Sequence, residues 1–309
     1  MRALLAVCAV AAMELGAMNL AAEAQPYEVA TQQNVEYVEH DGVKLAGDLY
    51  LPKGLAKAPV IVAAHGGGWQ VGSRASYQHW GPYLAKRGFG VFAISYRLSK
   101  PGQKAYPGAV YDVKAAVQFV RANAARLGVD PDRIGLMGDS AGAHLVALVA
   151  LAGDEPLFST AHRNDPHAAT SSTVKTVIGF YGVYDMHAQW HHDQLARPRD
   201  QITEKFIGLP PMASRRAYFD ASPLSYTTVD KRERTGSRFL LLHGTNDDIV
   251  DPATQGEAFL NALKQAGFFA RRIVIPGAGH FWASDPVEEP GSYGAQAAPH
   301  MLRFLQAGL

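Results

Sequence analysis

Arg133-Ile134-Gly135-Leu136-Met137-Gly138-Asp139-Ser140-Ala141-Gly142-Ala143-His144-Leu145 is the stretch whose reading decides the fold. Its first six residues form a short run that reads as a buried strand. Its last residues open an apolar pattern that continues to Leu151 and reads as a helix. Between them lies Gly138-Asp139-Ser140-Ala141-Gly142, of the form Gly-x-Ser-x-Gly. The pattern alone is weak, but a strand before it and a helix after it are what a nucleophile elbow requires. The turn is so sharp that the serine backbone is strained and only small residues fit two positions to either side. The serine oxygen then projects above the sheet, backed by the positive end of the helix dipole.

Working outward, apolar runs alternate with helical patterns. Val35–Glu39 and Lys44–Leu51 read as two strands of a hairpin about Asp41-Gly42. Pro59–Ala64, Gly90–Tyr96, Val174–Tyr181, Arg238–His243 and Arg271–Ile275 read as further strands. Helical patterns cover Ser76–Arg87, Pro107–Leu127, Pro252–Gln265 and Ala295–Gln306. Short, continuously apolar strands alternating with helices predict an α/β fold. It is a mostly parallel central sheet with helices on both faces. Two stretches break the alternation. Ala152–Thr173 is a polar loop with no assigned role, and Asp185–Tyr226 is a mixed segment read as a small lid-like insertion.

The serine needs partners. His65-Gly66-Gly67-Gly68-Trp69 follows the strand ending at Ala64. Three glycines let backbone N–H groups approach a substrate oxygen, so Gly67, Gly68 and Ala141 are the expected oxyanion donors. No phosphate-loop spacing competes with this reading. His65 is expected to orient the loop rather than act as a base. In this template the acid and then the histidine follow the serine along the chain. Asp247 stands on a loop just past the strand ending at His243; only His280 and His300 come after it. His300 falls within the closing helix, whereas His280 lies in the glycine-loosened loop Pro276–Trp282. Ser140, Asp247 and His280 are therefore the expected nucleophile, acid and base. Asp248 is the rival acid, and Asp247 is favoured because it begins the turn.

With these residues in place, the chain resembles the α/β-hydrolase superfamily. More narrowly it is similar to bacterial carboxylesterases of the hormone-sensitive-lipase and feruloyl-esterase-like group. The resemblance rests on His65–Trp69, Gly138–Gly142, Asp185, Ser222-Pro223-Leu224, His243–Val250 and Gly279-His280, and covers about Val35–Leu309. It implies metal-free and cofactor-free acyl transfer through an acyl-Ser140 intermediate on short-chain or aryl esters. The same triad could serve an arylformamidase or amidase, and a non-catalytic binding protein on the same fold is the third reading. Ala143 stands where many such relatives have a third glycine. Those relatives also place a helical cap before the oxyanion loop, but here that span reads as two strands. The expectation is a cleft roofed by Asp185–Tyr226 instead.

Aromatic residues flank the motif loops. Trp69, Phe281 and Trp282 are expected to line the substrate pocket. His187, His191, His192 and Asp193 share a helical spacing, but no further ligand is fixed, so no metal is assigned. Asp112, Asp185 and the Asp130–Arg133 turn are read as structural.

Composition narrows the classes. Among 309 residues, 48% are hydrophobic and 18% charged, which excludes a chain dominated by disorder. A formal net charge of +1 gives no basic face for nucleic acid. The single cysteine excludes a disulfide framework. Arg2, the apolar run to Met13 and Ala22-Glu23-Ala24 read as a signal peptide cut after Ala24, too short to span a bilayer. Residues 25–309 are then one catalytic domain, secreted or periplasmic, acting on a small-molecule ester.

Overall fold

The computed structural model describes residues 25–309; the expected signal peptide, residues 1–24, lies outside them. Eight strands form one sheet: β1 (Val29–His40), β2 (Val43–Pro52), β3 (Ala58–Ala64), β4 (Gly90–Ile94), β5 (Val129–Asp139), β6 (Thr176–Phe180), β7 (Arg238–Gly244) and β8 (Ala270–Ile275). Their spatial order is β1-β2-β4-β3-β5-β6-β7-β8. The hairpin β1–β2 is antiparallel and β2 joins β4 antiparallel, while every pair from β4 to β8 is parallel. All seven residues of β3 and all five of β4 and β6 are buried, as strands covered on both faces must be.

Helices complete both layers: α1 (Trp80–Ala85), α2 (Gly108–Ala122), α3 (Ala124–Leu127), α4 (Ala141–Ala152), α5 (Pro156–Ser159), α6 (Met186–Ala196), α7 (Ile202–Ile207), α8 (Arg215–Asp220), α9 (Val229–Thr235), α10 (Ala258–Gln265) and α11 (Tyr293–Gly308). Val113 and Val117 of α2, Leu145 and Leu148 of α4, and Phe259 of α10 pack on one face of the sheet. Tyr83 and Leu84 of α1 and Met301 and Phe304 of α11 pack on the other. Every residue of α4 is buried, because it lies between the sheet and its neighbours.

Some predicted boundaries shift. The pattern Pro107–Leu127 is two helices, divided where the Asn123 side chain donates to the Phe119 carbonyl at 2.9 Å. Ser76–Arg87 is a 3₁₀ turn at Arg74–Tyr77 followed by α1. Pro252–Gln265 opens with a π-helical turn, Ala253–Glu257, before α10. Among the described residues no helicity precedes the oxyanion loop, in keeping with the predicted hairpin.

The parallel register aligns the ends that matter. Ala64 pairs with Gly138, and Gly138 with Gly179. The loops after β3, β5, β6, β7 and β8 therefore leave the sheet along one carboxyl edge, where open α/β sheets place their ligand crevice.

Candidate active site

Ser140 sits between β5 and α4 with φ 51° and ψ −117°, a backbone conformation that L residues rarely adopt. The neighbours explain the two motif glycines. A Cβ on Gly142 would run into the Ala64 carbonyl, and one on Gly138 into the Gly142 backbone. Close packing of β3, β5 and the first turn of α4 is thus what requires small residues, and it aims Ser140 at the carboxyl edge.

The oxyanion loop adopts the same unusual region: φ is 107° at Gly67, 57° at Gly68 and 58° at Trp69. Its underside is tied down. His65 is buried and stacks on Tyr96 with ring centroids 4.4 Å apart, and its Nδ1 lies 2.7 Å from the Gly66 carbonyl. Burial, only partly offset by that hydrogen bond, lowers its pKa to about 4, so it is neutral near pH 7. This fits an orienting part for His65. Trp69 Nε1 donates to His144 Nδ1 at 3.2 Å, leaving His144 Nε2 to donate to the Ala221 carbonyl at 2.7 Å. The fully buried His144, its pKa lowered by burial to about 4, therefore clamps the loop to α4 and to the end of α8.

Asp139 links the elbow to the same loop. Tyr77 donates to its Oδ1 at 2.9 Å, and its Oδ2 lies against Gly66, where a Cβ would collide with it. The residue keeps some exposure, but its carboxyl group is enclosed by these partners. Burial raises its pKa to about 6 against the opposing hydrogen bonds from Tyr77 and Gly66.

Three residues distant in sequence converge on this edge. His280 Nε2 lies 3.0 Å from Ser140 Oγ, and its Nδ1 lies 2.8 Å from Asp247 Oδ2. Asp247 Oδ1 accepts the backbone N–H groups of Ile249 and Val250, each at 3.0 Å. His243 Nε2 stands 3.3 Å from Asp247 Oδ2 and 2.9 Å from the Val250 carbonyl. Burial alone would raise the Asp247 pKa, but hydrogen bonds from His243, His280 and the backbone hold it well below the usual carboxylate range. The carboxylate is therefore fixed in charge and direction. Asp248 is exposed, and its backbone carbonyl meets His192 Nε2 at 2.8 Å. His300 lies on α11 beside Arg303.

A 290 Å³ cavity opens over Ser140, with Gly67, Gly68, Trp69, Ala141, His280 and Phe281 in its lining. Trp69 is a buried wall, stacked on Phe206 at 4.4 Å. Phe281 is 61% exposed at the mouth, its ring edge-on to His280 at 4.6 Å. The pocket role expected of Trp282 is overturned. Phe281 takes φ 70°, the chain reverses, and Trp282 turns beneath the sheet edge against Phe180 and Tyr181, each with centroids 5.4 Å away. Gln189 and Asp193 of α6, Arg197 just past its end and Ile202 of α7 line the roof of the cavity. Asp185 caps α6 by accepting His187 and Ala188 N–H groups. His187, His191 and His192 do not converge with Asp193. His192 reaches the Asp248 carbonyl, while the Asp193 side chain turns inward beside Gln189. Sequence reasoning missed His144, His243 and this inward face. The signals available were spacing alone: His144 one turn past Ser140, His243 four residues before Asp247, and Gln189, Asp193 and Arg197 at successive four-residue steps.

Among the described residues no helix is long and apolar enough to cross a membrane. The sheet order and the serine at a strained strand–helix turn define an α/β-hydrolase fold. The BD-FAE family model matches residues 47–263, and the chain belongs to that family. It is 32% identical over 210 residues to the probable carboxylic ester hydrolase LipM of Mycobacterium tuberculosis, covering 67% of this chain and 45% of that protein. The chain spans about half the length of the curated relatives it matches. Among solved structures it resembles native Est2, a thermophilic esterase of Thermogutta terrifontis, with TM-score 0.69 and 26% identity, covering 91% of this chain and 92% of that one. The butyrate-bound form of Est2 matches with TM-score 0.71 and 26% identity over 90% and 93% of the two chains.

Proposed function

We propose that this protein is a serine carboxylic-ester hydrolase acting on short-chain or aryl esters. The observation that carries the reading is the continuous contact from Asp247 through His280 to Ser140. With Nδ1–H donated to Asp247, the Nε2 lone pair of His280 faces the Ser140 hydroxyl and can take its proton. Ser140 Oγ attacks the ester carbonyl. The negative charge developing on that oxygen is received by the N–H groups of Gly67, Gly68 and Ala141, the last at a helix start that offers N–H groups without intrahelical partners. The tetrahedral intermediate collapses, and His280 passes its proton to the departing alcohol. Water, deprotonated by His280, then releases the acid from acyl-Ser140. No step calls on a group beyond the chain, the ester and water. The 290 Å³ cavity suits a small acyl group, and butyrate is the ligand held by the Est2 relative.

The test is a panel of nitrophenyl esters of rising chain length alongside an N-formyl anilide, run with wild type and Ser140→Ala. Short esters should be turned over by wild type, and the substitution should lower kcat by about 10⁴- to 10⁶-fold. Cleavage of the anilide without ester turnover would replace this reading with an amidase. We propose further that the chain is exported, on the strength of the apolar run after Arg2 and the Ala22-Glu23-Ala24 site. N-terminal sequencing of material recovered outside the cytoplasm should begin at Gln25.

A further inference from the structure

Of the residues lining the cavity over Ser140, Val71 and Phe281 alone are exposed, 65% and 61%, and both are apolar. Val71 lies just past the oxyanion loop and Phe281 just past His280. Phe281 is the harder to explain. Its φ of 70° lies in the left-handed region, where a bulky side chain is an outlier. The reversal there carries Trp282 into the core, but glycine or asparagine would make the same turn with less strain. The hydrogen bonds that Ser284 gives to residue 281 end on its backbone carbonyl, which any residue supplies. The phenyl ring is thus not needed for the turn and is hardly part of the core. The ring it meets is His280, with centroids 4.6 Å apart and planes at 85°. Backbone strain and exposure of apolar surface both fall on one side chain at the mouth of the site, and such strain persists where function uses the group.

The chemistry decides which half of an ester meets that ring. The carbonyl carbon is held between Ser140 Oγ and the N–H groups of Gly67, Gly68 and Ala141. The leaving oxygen must then come within hydrogen-bond reach of His280 Nε2 to take its proton. The alcohol half therefore departs on the His280 side, past Phe281. The acyl half is left with the enclosed walls, Trp69 and Ile202 among them. Aromatic rings attract one another offset-stacked or edge to face, so an exposed phenyl beside the leaving oxygen favours a ring in the alcohol over a short alkyl group. We propose that Phe281 is the specificity-determining residue for the alcohol half, making this a hydrolase of esters of aromatic alcohols. The proposal rests on the ester-hydrolase reading, and it places the aromatic group of the substrate on the alcohol side of the scissile bond.

The test moves a phenyl ring from one half of the ester to the other: benzyl butyrate and ethyl phenylacetate are each compared with ethyl butyrate. Wild type should favour benzyl over ethyl butyrate by about tenfold or more in kcat/KM. Phe281→Asn takes the left-handed backbone without the ring. It should remove most of that preference, leave the ratio of ethyl phenylacetate to ethyl butyrate as it was, and fold like wild type by circular dichroism. Phe281→Tyr retains the ring and should keep the preference. Absence of a benzyl preference in wild type overturns the proposal. So does an equal loss on all three esters in Phe281→Asn, which would make the ring a prop for His280 instead. Failure of wild type to cleave any of the three esters or a nitrophenyl ester overturns the hydrolase reading beneath it.

Discussion

The chain carries two irregular excursions of similar outward character, and the structure uses them in opposite ways. The polar stretch 152–173 leaves from α4 and lies along α2. Gln118 donates to the Ala168 and Thr170 carbonyls at 3.0 and 2.8 Å, Lys114 to the Phe158 carbonyl at 2.9 Å, and Arg121 to the carbonyls of Ser171 and Thr173. The buried His40, held between Asp112 and Asp165 at 2.7 Å from each, ties it to the end of β1. None of its residues lines the cavity over Ser140. The segment 185–226 leaves from the carboxyl end of β6, beside the elbow and the oxyanion loop, and its first helix roofs the cavity. Composition does not separate the two. The point of departure from the sheet does, because only the carboxyl edge gathers the loops that follow parallel strands.

Variants should separate the edge from the flank. The largest effect belongs to the edge itself. Gly67→Ala places a Cβ against the Val71 carbonyl at φ 107°, and kcat for a nitrophenyl ester should fall by about 10²- to 10³-fold. A near-normal kcat would remove this loop from the oxyanion site. Next comes the roof, where Ile202 stands 3.1 Å from the Cβ position of Gly68. Ile202→Ala should enlarge the cavity and raise the hexanoyl-to-butyryl ratio of kcat/KM by about tenfold. An unchanged ratio would mean that 185–226 covers the site without shaping it.

A smaller, pH-dependent effect concerns Asp139. Its pKa in the folded chain, about 6, lies above the ordinary carboxyl value. The folded state therefore holds that proton more tightly than the unfolded chain does. The resulting stability is fully present below the ordinary value and is lost as pH rises through about 6. Asp247, held low, contributes in the opposite sense and loses its share on acidification. Melting temperatures followed from pH 4 to 7 should thus show a shallower decline for Asp139→Asn than for wild type; parallel curves would refute the coupling.

The smallest effect belongs to the flank. Gln118→Ala removes two hydrogen bonds to the 152–173 main chain and should cost about 1–2 kcal/mol in urea denaturation, with kcat/KM unchanged. A large loss of activity would place this stretch in the site after all.

Much of this arrangement was legible in the residues. The Gly-x-Ser-x-Gly turn, the glycines after β3, the chain order of acid and histidine, and the alternation of buried strands with helices all express local rules. Sterics at a sharp turn and burial on both faces of a sheet act over a few residues, so they leave a pattern that sequence spacing reveals. Asp247 over Asp248 was also a local matter, since the first residue of the turn is the one whose carboxylate meets the Ile249 and Val250 amides. What spacing could not supply was direction across long gaps. Trp282 and Phe281 are neighbours, yet a single left-handed residue sends one to the cavity mouth and the other into the core. His144 meets Trp69 across 75 positions, and His243 and His280 share one carboxylate oxygen, through contacts made by packing rather than by sequence proximity. The sequence by itself therefore determined the class of fold and the three residues brought into line. Only the tertiary structure decided which excursion roofs them and which distant side chains brace them, because those depend on where separate elements meet after the sheet has assembled.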